Sequence, residues 1–205
     1  DRAVLNHFTD YLTINTSQFF RDPSIYKLLE TKLLPDLLNS QAALKVWSAG
    51  CSVGAEPYSL AMLLKEQSPD CNWRIMATDF DENIIAKAKA GQYAENLLAH
   101  VPERFRQRYF TERDGSYFLS SQIINMVNFR RQNLLTDRFD AGYHLILCRN
   151  VFIYFTVETQ EQLIEQFVHS LQPGGIFIIG CSEMISNPGR FGLEKIQPAI
   201  YCKAK

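Results

Sequence analysis

The sequence has no excess of charge of either sign, no long apolar run and no cysteine pair at metal-binding spacing. It carries 21 basic and 22 acidic residues among 205, which gives a net charge of −1. Proteins that bind nucleic acid usually show a strong basic excess, so we predict no nucleic-acid partner. No apolar run approaches the ~18 residues that span a bilayer, and no signal-peptide pattern opens the chain. We therefore predict a cytoplasmic protein without direct membrane insertion.

Several motifs are also missing. The five cysteines are odd in number and none lies in C-x-x-C spacing, which favours reduced, mostly buried thiols and predicts no metal site. No P-loop lysine pattern occurs, which argues against ATP bound in that way. The full G-x-G-x-x-G pattern of dinucleotide sites is absent as well.

Short apolar runs alternate with longer amphipathic ones along the chain. We predict strands at 45–50, 73–78, 143–148, 174–181 and 199–204, and helices at 27–38 (interrupted by Pro35), 55–67, 81–91 and 157–171. Strands that alternate with helices indicate an α/β fold with a doubly wound, mostly parallel sheet. Residues from about 110 to 131 break this rhythm around a D-G turn, so we expect a small antiparallel β insertion there. The length favours one main domain, which we assign to 41–205 after an N-terminal segment at 1–40.

Ligands of an open α/β sheet bind beyond the carboxyl ends of its strands, so the residues there are site candidates. Gly50 and Gly54 bracket the loop after the first strand, where glycines let a ligand approach the backbone and where a plain turn is an equal alternative. Asp79, at the end of the second strand, suits the two ribose hydroxyls of a nucleoside. The alternative for Asp79 is a helix N-cap, for which Asp81 is better placed.

Two later strand ends also carry polar residues. Asn133, followed by Leu134, suits the edge and face of an adenine, with a turn asparagine as the alternative. Arg149 interrupts an apolar run from 143 to 155, and a buried guanidinium is costly unless it is paired. Arg149 is therefore predicted either to lie in the crevice or to form a structural ion pair. Together these features suit S-adenosylmethionine, with Glu56 facing the positive methionine end.

Five stretches occur in an unusual combination: "NTSQFFRD" (15–22), "WSAGCSVGAEPYSLAM" (47–62), "ATDFDENIIAKAKAGQY" (77–93), "NLLTDRFDAGYHLILCRNVFIYF" (133–155) and "LQPGGIFIIGCSE" (171–183). In this order they resemble the CheR family of chemotaxis receptor glutamate methyltransferases, from about residue 10 to the end. The resemblance implies a class I methyltransferase fold with a seven-stranded sheet. It also implies S-adenosylmethionine as cofactor and S-adenosylhomocysteine as product.

The resemblance further implies a set of site residues. Catalytic roles fall to Arg21 and Tyr154, with Arg21 orienting the acceptor carboxylate. Phe19 and Phe20 are expected to anchor this segment against the sheet domain. Cofactor contacts are implied for Asn15, Ser17, Arg21, Gly50, Glu56, Asp79, Asn133, Leu134, Cys148 and Arg149.

The implied activity is methylation of glutamate side chains on methyl-accepting chemotaxis receptors in sensory adaptation. We expect a monomer that docks on the cytoplasmic helical domain of the receptors. Residues 87–131 hold 8 basic and 4 acidic residues, a net +4 that suits an acidic receptor surface.

The sequence departs from the family at two points. Ala55 replaces the first acid of the family's G-E-E-P-Y block, and only a remnant of the helical N-terminal domain precedes Asn15. Two alternatives stay open: a cofactor-binding signalling module without methyltransferase activity, and a methyltransferase for another substrate.

Overall fold

The computed structural model describes residues 17–40, 43–69 and 72–204. The strands are β1 (Ala43–Ala49), β2 (Asn72–Asp79), β3 (Gln92–Tyr93), β4 (Phe110–Arg113), β5 (Ser116–Leu119), β6 (Val127–Arg131), β7 (Tyr143–Cys148), β8 (Leu171–Ile179), β9 (Leu193–Gln197) and β10 (Ile200–Lys203). The α-helices are α1 (Pro23–Leu28), α2 (Leu34–Ser40), α3 (Ala55–Gln67), α4 (Glu82–Ala90), α5 (Glu103–Tyr109), α6 (Ser121–Ile124) and α7 (Val157–Ser170). A π-helical segment covers Leu29–Leu33, and 3₁₀ turns cover Glu95–Leu98, Phe152–Tyr154 and Pro188–Phe191.

Seven strands form the main sheet in the order β6-β2-β1-β7-β8-β10-β9. The first five are parallel, and β10 runs antiparallel between β8 and β9. The chain builds outward from β1 through β2 to β6, then returns to β7 and builds the other half. This confirms the predicted doubly wound, mostly parallel sheet, with its topological switch point between β1 and β7.

The core lies on both faces of the main sheet because strand side chains alternate between them. Val46 and Leu145 belong to a cluster with the apolar residues of α3, whereas their neighbours Trp47 and Ile146 belong to a cluster with Phe167 of α7. Every residue of β7 is buried. A strand buried on both faces reads as a continuous apolar run, which is why its sequence predicted it so clearly.

The helix predicted to be interrupted at Pro35 is continuous from Pro23 to Ser40. A proline cannot donate to the carbonyl four residues earlier, and its ring crowds that carbonyl. Here the π-helical segment Leu29–Leu33 ends two residues before Pro35, which is the second residue of α2. The wider π turn accommodates the proline without ending the helix.

A separate three-stranded antiparallel sheet has the order β3-β5-β4. Its hairpin turns at Asp114 and Gly115, whose φ angles of 49° and 71° are the positive pair that a D-G hairpin turn requires. The predicted β insertion is therefore present, but its expected C-terminal limit near residue 131 is wrong. Val127–Arg131 pairs in parallel with β2 at the edge of the main sheet. The assignment of 1–40 and 41–205 to separate units stays a prediction.

Candidate active site

An open cleft of ≈ 1740 Å³ lies where the carboxyl ends of four adjacent strands meet. Gly50 follows β1, Asp79 ends β2, Asn133 lies just beyond β6, and Arg149 follows β7. Parallel strands end at the same edge of a sheet, so residues far apart in sequence converge there. The cleft lies at the switch point that the topology creates.

Nine of the residues predicted for the site line this cleft: Ser17, Arg21, Gly50, Glu56, Asp79, Asn133, Leu134, Arg149 and Tyr154. Cys148 does not, because its side chain is fully buried in the core, where burial raises the pKa of the thiol. Only the main chain of Cys148 is left for a ligand in the cleft. Asn15 lies outside the described residues. The contact that each residue makes with a ligand stays a prediction.

The buried rings of Phe19 and Phe20 anchor the segment that carries Arg21. Phe19 meets Tyr93 of β3 and Phe110 of β4 edge-on, with ring centroids 4.8 and 5.2 Å away. Phe20 stacks on Phe105 of α5 at 5.3 Å. The expected anchor against the sheet domain is therefore present, and it is formed by the small sheet and α5 of that domain.

The backbone around Arg21 is strained. Phe20 and Asp22 have φ angles of 53° and 61°, in the left-handed region that residues with a Cβ seldom adopt. Such residues cost on the order of 1–3 kcal/mol each and persist only where surrounding contacts hold them. Here the amide of Phe20 donates to Ser59 Oγ at 2.9 Å. Arg21 is thus held between two fixed neighbours at the edge of the cleft.

Arg149 joins this segment to the main sheet. Its guanidinium forms ion pairs with Asp22 and with Glu56, the latter at 3.4 Å, and donates to the main-chain carbonyl of Arg21 at 2.9 Å. The side chain of Arg149 is only 3% exposed. Both alternatives drawn from the sequence are therefore realised together, because Arg149 lines the cleft and is also the centre of a buried ion-pair network.

Glu56 lies at the other side of this network. Burial raises the pKa of its carboxyl, while Arg149, the hydroxyl of Ser48 and, more weakly, Arg21 oppose that rise. Ser48 Oγ donates to Glu56 Oε1 at 2.7 Å. The neighbouring Ala55, which replaces a family acid, is fully buried, whereas Glu56 lines the cleft. Of these two positions, only Glu56 is therefore placed to contact a ligand in the cleft.

The loop after β1 is fixed by hydrogen bonds and by its glycine. The amides of Gly50 and Cys51 both donate to the carbonyl of Thr78, at 2.8 and 2.9 Å. Gly50 has a φ of 74°, and a Cβ there would lie 2.5 Å from Val151 Cγ2. The glycine is therefore required by a left-handed turn and by packing against the loop after β7.

Asp79 is not a helix cap. Its Oδ2 accepts from the amide of Ser52 at 2.8 Å and its Oδ1 from the amide of Asp81 at 3.1 Å. Asp81 itself caps α4 by accepting from the amides of Asn83 and Ile84. Each Asp79 oxygen keeps a further lone pair, so the carboxylate is fixed in place and still able to accept from a ligand.

Asn133 makes the turn that the sequence allowed. Its Oδ1 accepts from the amide of Leu135 at 3.0 Å, and its own amide donates to Asp137 Oδ2 at 2.9 Å. Leu134 is buried, while Leu135 is 53% exposed. Asn133 is therefore a turn asparagine, as one of the two alternatives held. A contact with adenine would be an additional role, and it stays a prediction.

The comparisons with known proteins agree with this arrangement. Residues 15–200 match the family model of the CheR methyltransferase SAM binding domain. A chemotaxis protein methyltransferase of Listeria monocytogenes is 40% identical over 204 residues, covering 99% of this chain and 78% of that protein. The one of Borreliella burgdorferi is 35% identical, covering 95% and 72%. The chain belongs to the CheR methyltransferase family.

A solved structure of a putative O-methyltransferase from Nostoc punctiforme also resembles the chain. The TM-score is 0.46 at 20% identity, and the match covers 77% of this chain and 37% of that one.

As a CheR methyltransferase, the protein uses S-adenosylmethionine as its cofactor. The chemistry of the cleft fits that molecule. Asp79 offers a carboxylate for ribose hydroxyls, as an acid at the end of a second strand does in nucleoside sites. Phe80 and Leu135 line the cleft with 60% and 53% of their surface exposed, which supplies apolar surface for a purine ring.

Sequence reasoning missed several residues of the cleft. The position of Phe80 in the sequence was informative, because an aromatic residue that directly follows the acid at the end of a strand lies at the opening of the cleft. The guanidinium of Arg131 lies 4.9 Å from the centroid of its ring. Gln132, Val151 and Ile153 also line the cleft. Their apolar or neutral side chains gave no sign of this in the sequence.

The described residues contain neither a candidate metal cluster nor a helix that could span a membrane. No group of three or more His, Cys, Asp or Glu side chains there is arranged to hold a metal ion. Every helix there is too short or too polar to cross a lipid bilayer.

Proposed function

We propose that this protein transfers the methyl group of S-adenosylmethionine to glutamate side chains of methyl-accepting chemotaxis receptors. Its relatives are named chemotaxis protein methyltransferases. One observation carries the assignment of the site. Arg21, from a segment that precedes the main sheet, lines the same cleft as the strand-end residues Gly50, Asp79 and Asn133.

The cofactor-binding residues have separate tasks in this proposal. Asp79 binds the ribose hydroxyls, and Asn133 with Leu134 binds the adenine. Ser17, Gly50, Glu56 and Arg149 shape the end of the cleft that receives the methionine part. When bound, the cofactor supplies a methyl group that is already activated on a sulfonium.

The acceptor needs little activation. A glutamate carboxyl has an ordinary pKa near ~4.3 and is ionised at neutral pH, so no general base is required. What remains is alignment, which is worth up to ~7–11 kcal/mol when the geometry is good. Arg21 holds one oxygen of the carboxylate through its planar guanidinium. Tyr154, which is 58% exposed at the rim, donates a further hydrogen bond and leaves the other oxygen to react.

The partner we propose is the cytoplasmic helical domain of a receptor, bound by one monomer in the cytoplasm. The basic surface of residues 87–131 gives this little support. Five of its arginines are in ion pairs, with Glu30, Glu66, Glu82, Glu95 and Asp140. Their charges are largely matched within the protein, so docking is better sought around the cleft.

A labelling assay tests the function. The protein is incubated with methyl-labelled S-adenosylmethionine and receptor-containing membranes, and the product is then treated with mild base. We expect volatile methanol, because carboxyl methyl esters hydrolyse and N-methyl groups do not. Label that resists base would show a different acceptor. Tight cofactor binding without any label would favour a signalling module.

A further inference from the structure

Glu183 is hydrogen-bonded to three backbone amides on two different segments. Its Oε2 accepts from Gly180 at 2.6 Å and from Asn150 at 3.0 Å, and its Oε1 faces the amide of Ile153 at 3.4 Å. Gly180 follows β8, whereas Asn150 and Ile153 belong to the loop after β7. Hydrogen bonds to an ionised acceptor are stronger than neutral ones, so this carboxylate fixes the loop to the end of β8.

The loop held in this way is strained and forms one wall of the cleft. Asn150 has a φ of 59°, in the left-handed region, and its own amide is one of the three donors to Glu183. Every residue from Arg149 to Tyr154 lines the cleft except Phe152, which is buried. Glu183 itself lies behind the loop and does not line the cleft. Its effect on a ligand must therefore be transmitted through the loop.

The carboxylate of Glu183 packs so close to Gly180 that no side chain fits at position 180. A Cβ at Gly180 would lie 2.7 Å from Glu183 Oε2 and 2.9 Å from the amide nitrogen of Asn150. Both contacts are shorter than real Cβ atoms show. The φ of Gly180 is outside the left-handed region, so the requirement for glycine is purely spatial. Any side chain there would push the carboxylate and the loop apart.

We propose that Glu183 is a positioning residue for methyl transfer, which acts by holding the Asn150–Tyr154 turn so that Tyr154 meets the acceptor. This inference rests on the proposed function of Tyr154. Glu183 acts through main-chain hydrogen bonds alone, and neither the acceptor nor the cofactor touches it. Its loss should lower the rate of transfer far more than it weakens cofactor binding.

Two variants disrupt the hydrogen bonds between Glu183 and the loop in different ways. Glu183→Gln keeps the size of the side chain but turns an NH₂ group toward one of the three donors. Gly180→Ala keeps Glu183 and pushes it away from Asn150. We expect each to lower kcat on the order of tenfold. The Kd for S-adenosylhomocysteine should stay within about twofold, because Tyr154 is proposed to contact the acceptor, and losing an interaction made only in the transition state lowers kcat without weakening ligand binding.

Two control variants and a measurement of amide hydrogen exchange test the role of Glu183 independently of methyl transfer. Glu194→Gln changes an exposed acid, and Gly189→Ala adds a Cβ with no atom nearer than 3.9 Å. Neither should change kcat. Amide hydrogen exchange at residues 150 and 153 should rise in both test variants and in neither control, whether or not the enzyme is turning over.

Unchanged exchange at these amides would overturn the positioning role, as would a kcat equal to that of the controls. A parallel loss of kcat and cofactor affinity would also overturn it, because that pattern indicates a general structural defect. Failure of the wild-type protein to form methyl esters would instead count against the proposed function, and the exchange measurement would still decide whether Glu183 holds the Asn150–Tyr154 turn.

Discussion

The guanidinium of Arg149 donates a hydrogen bond to the main-chain carbonyl of Arg21, 128 positions away in sequence, at 2.9 Å. Through this bond and the ion pair with Asp22, the loop after β7 holds Arg21, the residue proposed to orient the acceptor. The position of Arg21 is therefore set by the main sheet, although Arg21 belongs to a segment that precedes it.

Arg149→Met should be strongly destabilising. It leaves Asp22 and Glu56 without their cation, and breaking a buried ion pair from one side typically costs about 3–5 kcal/mol. Urea unfolding should show this loss as a lower midpoint. Arg190→Met is the matched control, because Arg190 pairs with Glu161 at the surface, where pairs contribute less than about 1 kcal/mol. Equal losses in the two variants would contradict the buried-network argument.

Arg21→Lys should lower kcat with receptor by about 100-fold while the Kd for S-adenosylhomocysteine changes less than about fivefold. A lysine keeps the charge but cannot hold a carboxylate in a planar fork, so alignment is lost. Steady-state methyl-ester release and calorimetry measure the two quantities. Arg113→Lys, at the end of β4 in the small sheet, should leave both unchanged. A Kd that rises as much as kcat falls would assign Arg21 to cofactor binding instead.

The fold could largely be predicted from the sequence, because its strands are short apolar runs with glycines or acids at their ends. The cap at Asp81 and the C-cap at Gly91 even set the limits of α4. The prediction that 127–131 belongs to the small sheet is wrong for a physical reason. A β-rich segment shows that it pairs, but not with which neighbour, and here β2 was the available edge.

The site could be predicted less completely. Strand-end polar residues such as Asp79 are visible in sequence because topology brings all strand ends to one edge. The partners of Phe19 and the bond from Arg149 to Arg21 depend on contacts across long sequence separations, which no local pattern encodes. Glu183 was missed because its three donors are backbone amides, and every residue but proline has one.

Asp79→Asn should weaken cofactor binding by about 10- to 100-fold. An amide has one acceptor oxygen where the carboxylate has two, and hydrogen bonds to a charged group contribute about 1.5–3 kcal/mol. Asp114→Asn, in the exposed hairpin turn of the small sheet and outside the lining of the cleft, is the control. Because asparagine tolerates the left-handed backbone of that turn, the variant should keep both its Tm and its affinity. Calorimetric titration with S-adenosylhomocysteine measures the affinity, and an unaffected Asp79→Asn variant would refute the ribose assignment.

The buried imidazole of His144 should make stability fall on mild acidification. Its pKa is lowered, chiefly by burial and further by the charge of Lys45, from an ordinary value of 6.5. Its Nδ1 accepts from the amide of Lys45 at 3.0 Å, and a protonated ring has no such acceptor. The unfolded chain therefore binds a proton more readily than the folded one, so stability is complete above pH 6.5 and is lost as the pH falls through the folded pKa.

Unfolding in urea at several pH values between about 7.5 and 5 tests this linkage. His144→Asn places a neutral amide oxygen near the position of Nδ1 and cannot titrate, so its free energy of unfolding should depend less on pH than that of the wild type. His100→Asn removes an exposed histidine and should keep the wild-type slope. If His144→Asn retained that slope too, the acid sensitivity would have to come from another group, and the neutral imidazole would not be required by the fold.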